Sequence, residues 1–236
     1  MTPPKPYTAK LEDKAQLNER FVQYKFELVT PNELQFSAGQ YVSIKVSDQG
    51  VRRSYSICSS PAVMHGFELL IDHQPAGVGC TFLENLQFGQ EIELLAPLGV
   101  FTIKPDQEET EIALVATGSG IAPFLSMLYE RLQVDQDMRP ITLYWGMRHA
   151  NLLFWEDEFE VLTQAFPHFR FHPVISQAEP AWPLCRGRVT DCLNTHEQPA
   201  GVGYYLCGNA AMIADVSKTL LAKGVSEAHI HHEKFY

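Results

Sequence analysis

Ile112-Ala113-Leu114-Val115-Ala116-Thr117-Gly118-Ser119-Gly120-Ile121-Ala122-Pro123 decides the architecture of this chain. The apolar run over 112–116 is far too short to span a membrane and suits a strand buried on both faces. A turn with two glycines follows. The spacing then predicts a helix over 121–132, with Phe124, Leu125, Leu128 and Leu132 on one face. The same alternation continues downstream: strands over 141–145, 169–176 and 204–207, helices over 152–166 and 210–222, and a stop near Gly224. Buried strands alternating with helices imply a parallel sheet covered on both faces.

Upstream, the pattern changes. Short strand-like runs over 21–28, 40–46, 67–73 and 91–95 are separated by Gly39, Gly50, Gly66, Gly77, Gly79, Gly89 and Gly99. One short helix is predicted over 80–86. This is the signature of an antiparallel sandwich or barrel. The polar stretch over 104–110 reads as a linker. Two domains are expected, over 1–104 and 105–236.

Composition bounds the function. The 236 residues are 45% hydrophobic with 14 Phe, 9 Tyr and 3 Trp, enough for real cores. The net charge of −10 argues against nucleic-acid binding, which needs Lys and Arg to neutralise phosphate. No apolar stretch follows the first basic residue, so no export signal is expected and the cytoplasm is the expected location. Cys58, Cys80, Cys185, Cys192 and Cys207 contain no Cys-x-x-Cys pair, so neither an iron-sulfur nor a structural zinc site is expected. A disulfide framework is not expected either. His229, His231 and His232 read as exposed imidazoles on a strand, and Asp157, Glu158 and Glu160 as a solvated helix face. No Gly-x-Ser-x-Gly elbow or Ser-His-Asp set suggests a hydrolase.

Two stretches carry chemistry. Thr117 to Pro123 sits where an open α/β sheet binds phosphate, at a strand's carboxyl end against a helix start. Gly118 and Gly120 permit close approach, and Pro123 suits a first helical turn. Pro123 replaces the third glycine of the usual fingerprint, and Trp145-Gly146-Met147-Arg148 holds no acidic residue for a ribose. A phosphate cradle and a plain strand-to-helix turn both fit. The second stretch is Arg52-Arg53-Ser54-Tyr55-Ser56. In an extended segment Arg53 and Tyr55 share one face and Ser54 and Ser56 the other. An Arg can neutralise a pyrophosphate and a Tyr can lie on a planar ring. A polar edge strand fits as well.

The two stretches together, in this order and at this distance, resemble the ferredoxin-NADP reductase superfamily of FAD- and NAD(P)H-dependent reductases, over nearly the whole chain. The resemblance implies a two-domain β + α/β protein: an antiparallel six-stranded FAD-binding barrel, then a parallel five-stranded Rossmann-like NAD(P)-binding domain. It implies that Arg53 holds the FAD pyrophosphate, Tyr55 packs on the isoalloxazine and Ser56 bonds near its N5, with Ser54, Ile71 and His73 lining the flavin. Gly77 to Leu83 is similar to the second flavin motif, giving Gly79, Cys80 and Thr81 as phosphate contacts. Cys80 stands where the family usually has Ser. Ala96 to Phe101 is similar to the end of the barrel.

In the second half the resemblance makes Thr117, Gly118, Gly120 and Pro123 the nicotinamide-pyrophosphate loop. Cys207 and Gly208 form a Cys-Gly motif beside the nicotinamide, where a buried core cysteine is the plainer reading. Glu233-Lys234-Phe235-Tyr236 is similar to a Glu-x-aromatic ending, with Glu233 in proton delivery and Phe235 or Tyr236 over the flavin. Ser56, Cys207 and Glu233 are thus the catalytic candidates. Ser176 is followed by Gln177 where NADPH users often carry Arg, which tilts the expectation to NADH. Arg148, Arg186 and Arg188 stand at plausible positions for a 2′-phosphate. The expected acceptor is a separate protein (ferredoxin, flavodoxin or an oxygenase component). Free flavin is an alternative acceptor, and a non-catalytic electron-relay subunit an alternative role. A monomer, with no nucleic-acid or membrane partner, is expected.

Overall fold

The computed structural model describes residues 3–74, 76–103, 108–195 and 201–235. Contacts divide it into two compact units: Met1–Ile103 with Ala122–Gln136, and Lys104–Ile121 with Asp137–Tyr236.

The first unit is built on β1 (Lys5–Gln16), β2 (Phe21–Thr30), β3 (Tyr41–Lys45), β4 (Arg52–Ser56), β5 (Gly66–Asp72), α1 (Val78–Asn85) and β6 (Glu91–Leu98). The strands form one antiparallel sheet in the order β4-β3-β6-β1-β2-β5. A bridge between Ile57 and Leu69, and the Cys58 N–H donating to Glu68 O at 2.9 Å, join the two ends. This is the expected six-stranded barrel. Closure removes the free edges that an open sheet would present. Inward positions alternate along the strands: Tyr7, Ala9 and Leu11 on β1, and Tyr24, Phe26 and Leu28 on β2, are buried. The Phe26 and Phe67 rings stack with centroids 5.2 Å apart at the centre.

The helix expected over 121–132 is split in three. A 3-10 turn (Gly118–Ile121) leads into α2 (Ala122–Leu128), and Tyr129–Val134 widens into a π-helix. The four apolar residues placed on one face are buried, as the spacing requires. α2 belongs to the first unit. Its Ser126 hydroxyl donates to Ser59 O at 2.7 Å, and its Phe124 ring lies 6.0 Å from Phe101.

The second unit contains β7 (Glu111–Thr117), β8 (Ile141–Met147), α3 (Glu156–Ala165), β9 (Phe169–Ile175), β10 (Cys185–Arg186), α4 (Val189–Thr195), β11 (Val202–Gly208), α5 (Ala210–Ala222) and β12 (Ile230–Lys234). All neighbours are parallel, in the order β10-β9-β8-β7-β11-β12. The expected five strands become six because β10 adds a two-residue edge strand. Nothing so short carries a periodicity, which is why the sequence pattern misses it.

One expectation is corrected here. Cys185 and Cys192 are joined by a disulfide, their Cα atoms 5.9 Å apart. The turn from β10 into α4 brings together two cysteines whose sequence spacing names no partner. Cys58, Cys80 and Cys207 are free thiols. Among the described residues no helix is long and apolar enough to cross a membrane, and no group of His, Cys, Asp or Glu could hold a metal.

The histidine strand also departs from expectation. His231 on β12 is not simply exposed: its Nε2 lies 2.7 Å from Oε1 of Glu109. Glu109 is almost fully buried and also accepts from the Tyr205 hydroxyl at 2.8 Å. The Tyr205 and His231 rings stack, centroids 4.6 Å apart. Gly203 makes room for this carboxylate, since a Cβ there would fall 2.2 Å from Glu109 Cδ. Burial pushes the Glu109 carboxyl up, but the bonds from His231 and Tyr205 outweigh it and hold it below its ordinary value of 4.5. A depressed carboxyl stabilises the fold above its unfolded value, and that contribution is lost as pH falls through the folded value. Glu109→Ala is therefore expected to cost about 2 kcal/mol at neutral pH, by stranding the buried Tyr205 hydroxyl and releasing the half-buried His231. It is also expected to flatten the acid limb of the stability curve below about pH 4.5, read by urea unfolding across pH. An unchanged acid limb would count against this assignment.

Candidate functional site

In the first unit, β4, the end of β5 and α1 form one cluster. Arg53 and Tyr55 share a face, as the extended pattern required, and Gly79 on α1 packs against both. A Cβ on Gly79 would stand 2.1 Å from Tyr55 Oη and 2.9 Å from Arg53 Cγ, so only glycine allows this approach. Arg53 is exposed. Its Nη1 donates to Arg52 O at 2.9 Å, and no carboxylate pairs with it among the described residues. Burial pushes the Tyr55 phenol well above its ordinary value, so the ring stays neutral. Ser54 is exposed and Ser56 buried, facing Ser43 and Tyr41 across β3.

The first turn of α1 has no side-chain cap, because its N-cap is Gly77. Uncapped N–H groups and an unpaired guanidinium at the same place suit a phosphate. Cys80 is half-buried and its Sγ–H donates to Asp72 O at 3.3 Å, while Thr81 is exposed. Asp72 is itself held by Arg20, whose Nε–H donates to Oδ1 at 2.6 Å. His73 lies 3.1 Å from the Tyr24 hydroxyl, and burial lowers its basicity. Ile71 is 2% exposed and sits in the barrel core, apart from this polar cluster.

In the second unit the chain runs outward from β7 through β8, β9 and β10, then returns to β11 on the other side of β7. The crevice between β7 and β11 is a topological switch point, where open α/β sheets bind ligands. Both loops named from the sequence lie there. A Cβ on Gly120 would stand 2.2 Å from Cys207 O, and one on Gly208 2.3 Å from Thr117 Oγ1. Asn209 Nδ2 donates to Thr117 Oγ1 at 3.3 Å, and its Oδ1 caps α5 by accepting from Met212 N at 2.9 Å.

β12 brings in the chain's last described residues. Glu233 stands in register with Cys207, and Phe235 N–H donates to Gly208 O at 3.0 Å. Thr117, Gly118, Gly120, Cys207, Gly208, Glu233 and Phe235 therefore gather at one crevice. Tyr236 lies outside the described residues. Cys207 has no solvent exposure; burial first, and Glu233 second, push its thiol well above the ordinary value. It is a neutral thiol at physiological pH. Pro123, by contrast, is buried on α2 in the first unit.

Arg148, Ser176 and Arg188 are exposed near the ends of β8, β9 and β10. Gln177 N–H donates to Arg148 O at 2.9 Å, which sets Ser176-Gln177 beside Arg148. Arg188 turns instead toward Asp215 on α5, 3.5 Å away.

Asn209 and Trp145 are not among the site residues expected from the sequence. Asn209 carries a visible signal, an Asn directly before a helical run. Trp145 carries none. Its indole Nε1–H donates to Gly118 O at 3.0 Å, a contact from β8 to the turn after β7 that no spacing announces.

Known proteins resemble this chain in sequence and fold. Residues 8–103 match the family of oxidoreductase FAD-binding domains and residues 114–218 that of oxidoreductase NAD-binding domains. The electron transfer component of toluate 1,2-dioxygenase from Pseudomonas putida is 30% identical over 231 residues, which are 97% of this chain and 67% of that protein. The reductase subunit of an aromatic O-demethylase from Amycolatopsis is 32% identical over 209 residues, 86% of this chain and 61% of that one. The chain thus spans about three-fifths to two-thirds of these relatives' length. The crystal structure of an Amycolatopsis cytochrome P450 reductase superposes on all of this chain and 71% of that one, with a TM-score of 0.89 and 29% identity. A Neisseria gonorrhoeae ferredoxin NADP+ reductase, solved with FAD and NADP, shares the fold at a TM-score of 0.85 and 22% identity, covering 98% of this chain and 99% of that one. On its barrel, its switch-point crevice and these matches, the chain belongs to the ferredoxin-NADP reductase superfamily, with an FAD-binding and an NAD(P)-binding domain.

Proposed function

We propose that this chain is an NAD(P)H-dependent flavoprotein reductase that passes electrons to a separate acceptor, with an oxygenase component as the acceptor class. The observation that carries the activity is the convergence of Thr117–Gly120, Cys207–Gly208 and β12 at a switch point, in the same chain as a barrel with an uncapped phosphate site. The oxygenase acceptor is favoured by the relatives, which are electron transfer or reductase components of oxygenase systems. Residues 1–104 and 105–236 correspond to the flavin and nucleotide halves in this reading.

When bound, the nicotinamide supplies a hydride and the flavin accepts it, releasing electrons singly or in pairs. Every other role belongs to the chain. Arg53 and the first turn of α1, with Gly79, Cys80 and Thr81, hold the FAD pyrophosphate. Tyr55 offers a neutral ring to the isoalloxazine, beside Ser54 and His73. Ser56, held in β4, would supply a hydroxyl near flavin N5. The loop from Thr117 to Gly120 takes the nicotinamide pyrophosphate. Cys207 stays a neutral thiol, so it shapes the reacting region without adding charge. Glu233, in register with it, holds or releases a proton, and Phe235 is placed by its bond to Gly208. NADH is preferred, because Gln177 brings no charge to a 2′-phosphate and Arg188 is turned to Asp215. The protein works as a monomer in the cytoplasm.

Anaerobic mixing of the purified protein with NADH is expected to bleach a yellow flavin spectrum, with kcat/KM for NADH above that for NADPH. A protein that binds no FAD and oxidises neither nucleotide would sink the reading. FAD recovered at about one per chain separates a retained cofactor from a free-flavin substrate, and bound FAD without nucleotide oxidation would make the chain an electron-relay subunit. Arg53→Ala is expected to weaken FAD retention roughly tenfold or more, in line with the loss of a charge-assisted bond. Equilibrium dialysis reads this directly; retention equal to the parent protein's would remove Arg53 from the site.

A further inference from the structure

Trp145 heads the fully buried side chains by size. Its ring is fixed from several directions: Phe154 at 4.8 Å and Phe159 at 6.1 Å meet it edge-on, and Phe171 lies 6.4 Å away. An indole carries a single polar atom, and a buried one needs an acceptor. Here that acceptor is Gly118 O, at 3.0 Å, in the middle of the Thr117–Gly120 loop.

Gly118 shows why this matters. Its φ is +55°, a left-handed value, yet nothing lies within 4 Å of where a Cβ would stand. The glycine is present for its backbone conformation and not for lack of space. A planar trans peptide points its C=O and N–H in opposite directions. Drawing Gly118 C=O onto the buried indole therefore turns Ser119 N–H away from the aromatic cluster. Released, the same peptide could present its carbonyl instead, an acceptor facing an anion's acceptors.

We propose that Trp145 is a positioning residue for anion recognition: its indole N–H locks the Gly118–Ser119 peptide so that Ser119 N–H faces the pyrophosphate of the nicotinamide dinucleotide. This rests on the reading of Thr117–Gly120 as the pyrophosphate loop. The rigid ring cluster supplies the preorganisation, so the loop loses little freedom when the ligand arrives.

The test uses the FAD-loaded full chain and equilibrium binding. Trp145→Phe keeps a ring in the cluster and removes the donor. Its Kd for NAD+ and for ADP-ribose, which share the pyrophosphate, should rise roughly two- to tenfold, the range for one lost hydrogen bond. The Kd for AMP, which lacks the pyrophosphate, should stay put, while the melting temperature falls because the smaller ring leaves a cavity in the cluster. In turnover, KM for NADH should rise with kcat held. Phe154→Leu loosens the cluster but keeps the indole donor; it should lower the melting temperature and leave these affinities alone.

A second measurement needs no change at Trp145. Its indole ¹H–¹⁵N resonance, assigned by elimination with Trp155→Phe and Trp182→Phe, should shift with ADP-ribose and not with AMP. Unchanged affinities in Trp145→Phe, a loss that includes AMP, or a silent indole resonance would each overturn the proposal. If the parent protein binds neither NAD+ nor ADP-ribose, the pyrophosphate-loop reading fails and the proposal falls with it. Parent binding with an indifferent Trp145→Phe sinks the positioning role alone.

Discussion

The backbone of Gly120 touches the backbone of Cys207, and the nucleotide half depends on that approach. A single Cβ at Gly120 would lie 2.2 Å from the Cys207 carbonyl oxygen, inside any real contact distance. The first and fourth long strands of the sheet can therefore end side by side only with glycine there. That closeness opens the crevice in which both loops meet, and Asn209 and Thr117 tie its two lips together. The sheet's strand order creates the place, and one missing side chain makes it usable.

Two kinds of residue support the crevice without facing a ligand. Trp145 acts from beneath, through a donor buried in an aromatic cluster. Glu109 acts at the far end, where it holds His231 and Tyr205 and so anchors β12 beside β11. β12 in turn carries Glu233 and Phe235. Buried polar groups of this sort are costly unless every partner is present, and for that reason they admit few alternative arrangements. The flavin half uses the same device in smaller form: Arg20 grips Asp72, whose carbonyl receives the Cys80 thiol.

Much of this was legible beforehand. Glycine-punctuated strands announced the barrel, and the apolar run from Ile112 announced the parallel sheet. Arg53 and Tyr55 share a face because a strand repeats every two residues, and a sequence shows that period directly. β1 is harder to delimit although Tyr7, Ala9 and Leu11 alternate correctly, because charged neighbours and a register shift after Leu11 blur the signal. The π-widening after Leu128 leaves no trace, since helical periods differ too little over six residues. The Cys185–Cys192 pair, the Glu109 triad and the Trp145 bond all join positions that only the tertiary fold brings together. Local pattern reports which face a residue takes, not which distant atom it meets.

The membership of α2 bears on how such a protein is inherited. The helix follows the nucleotide loop without a break, yet its Ser126, Phe124 and Met127 complete the packing around Ser59, Phe101 and Gly39 of the barrel unit. A gene cut at the polar stretch before β7 would leave the barrel without its own helix and the loop with a stray apolar one. The two halves are thus poor cassettes for recombination. Lineages that exchange a flavin or nucleotide module would be under pressure to move the pair together, joined across this helix.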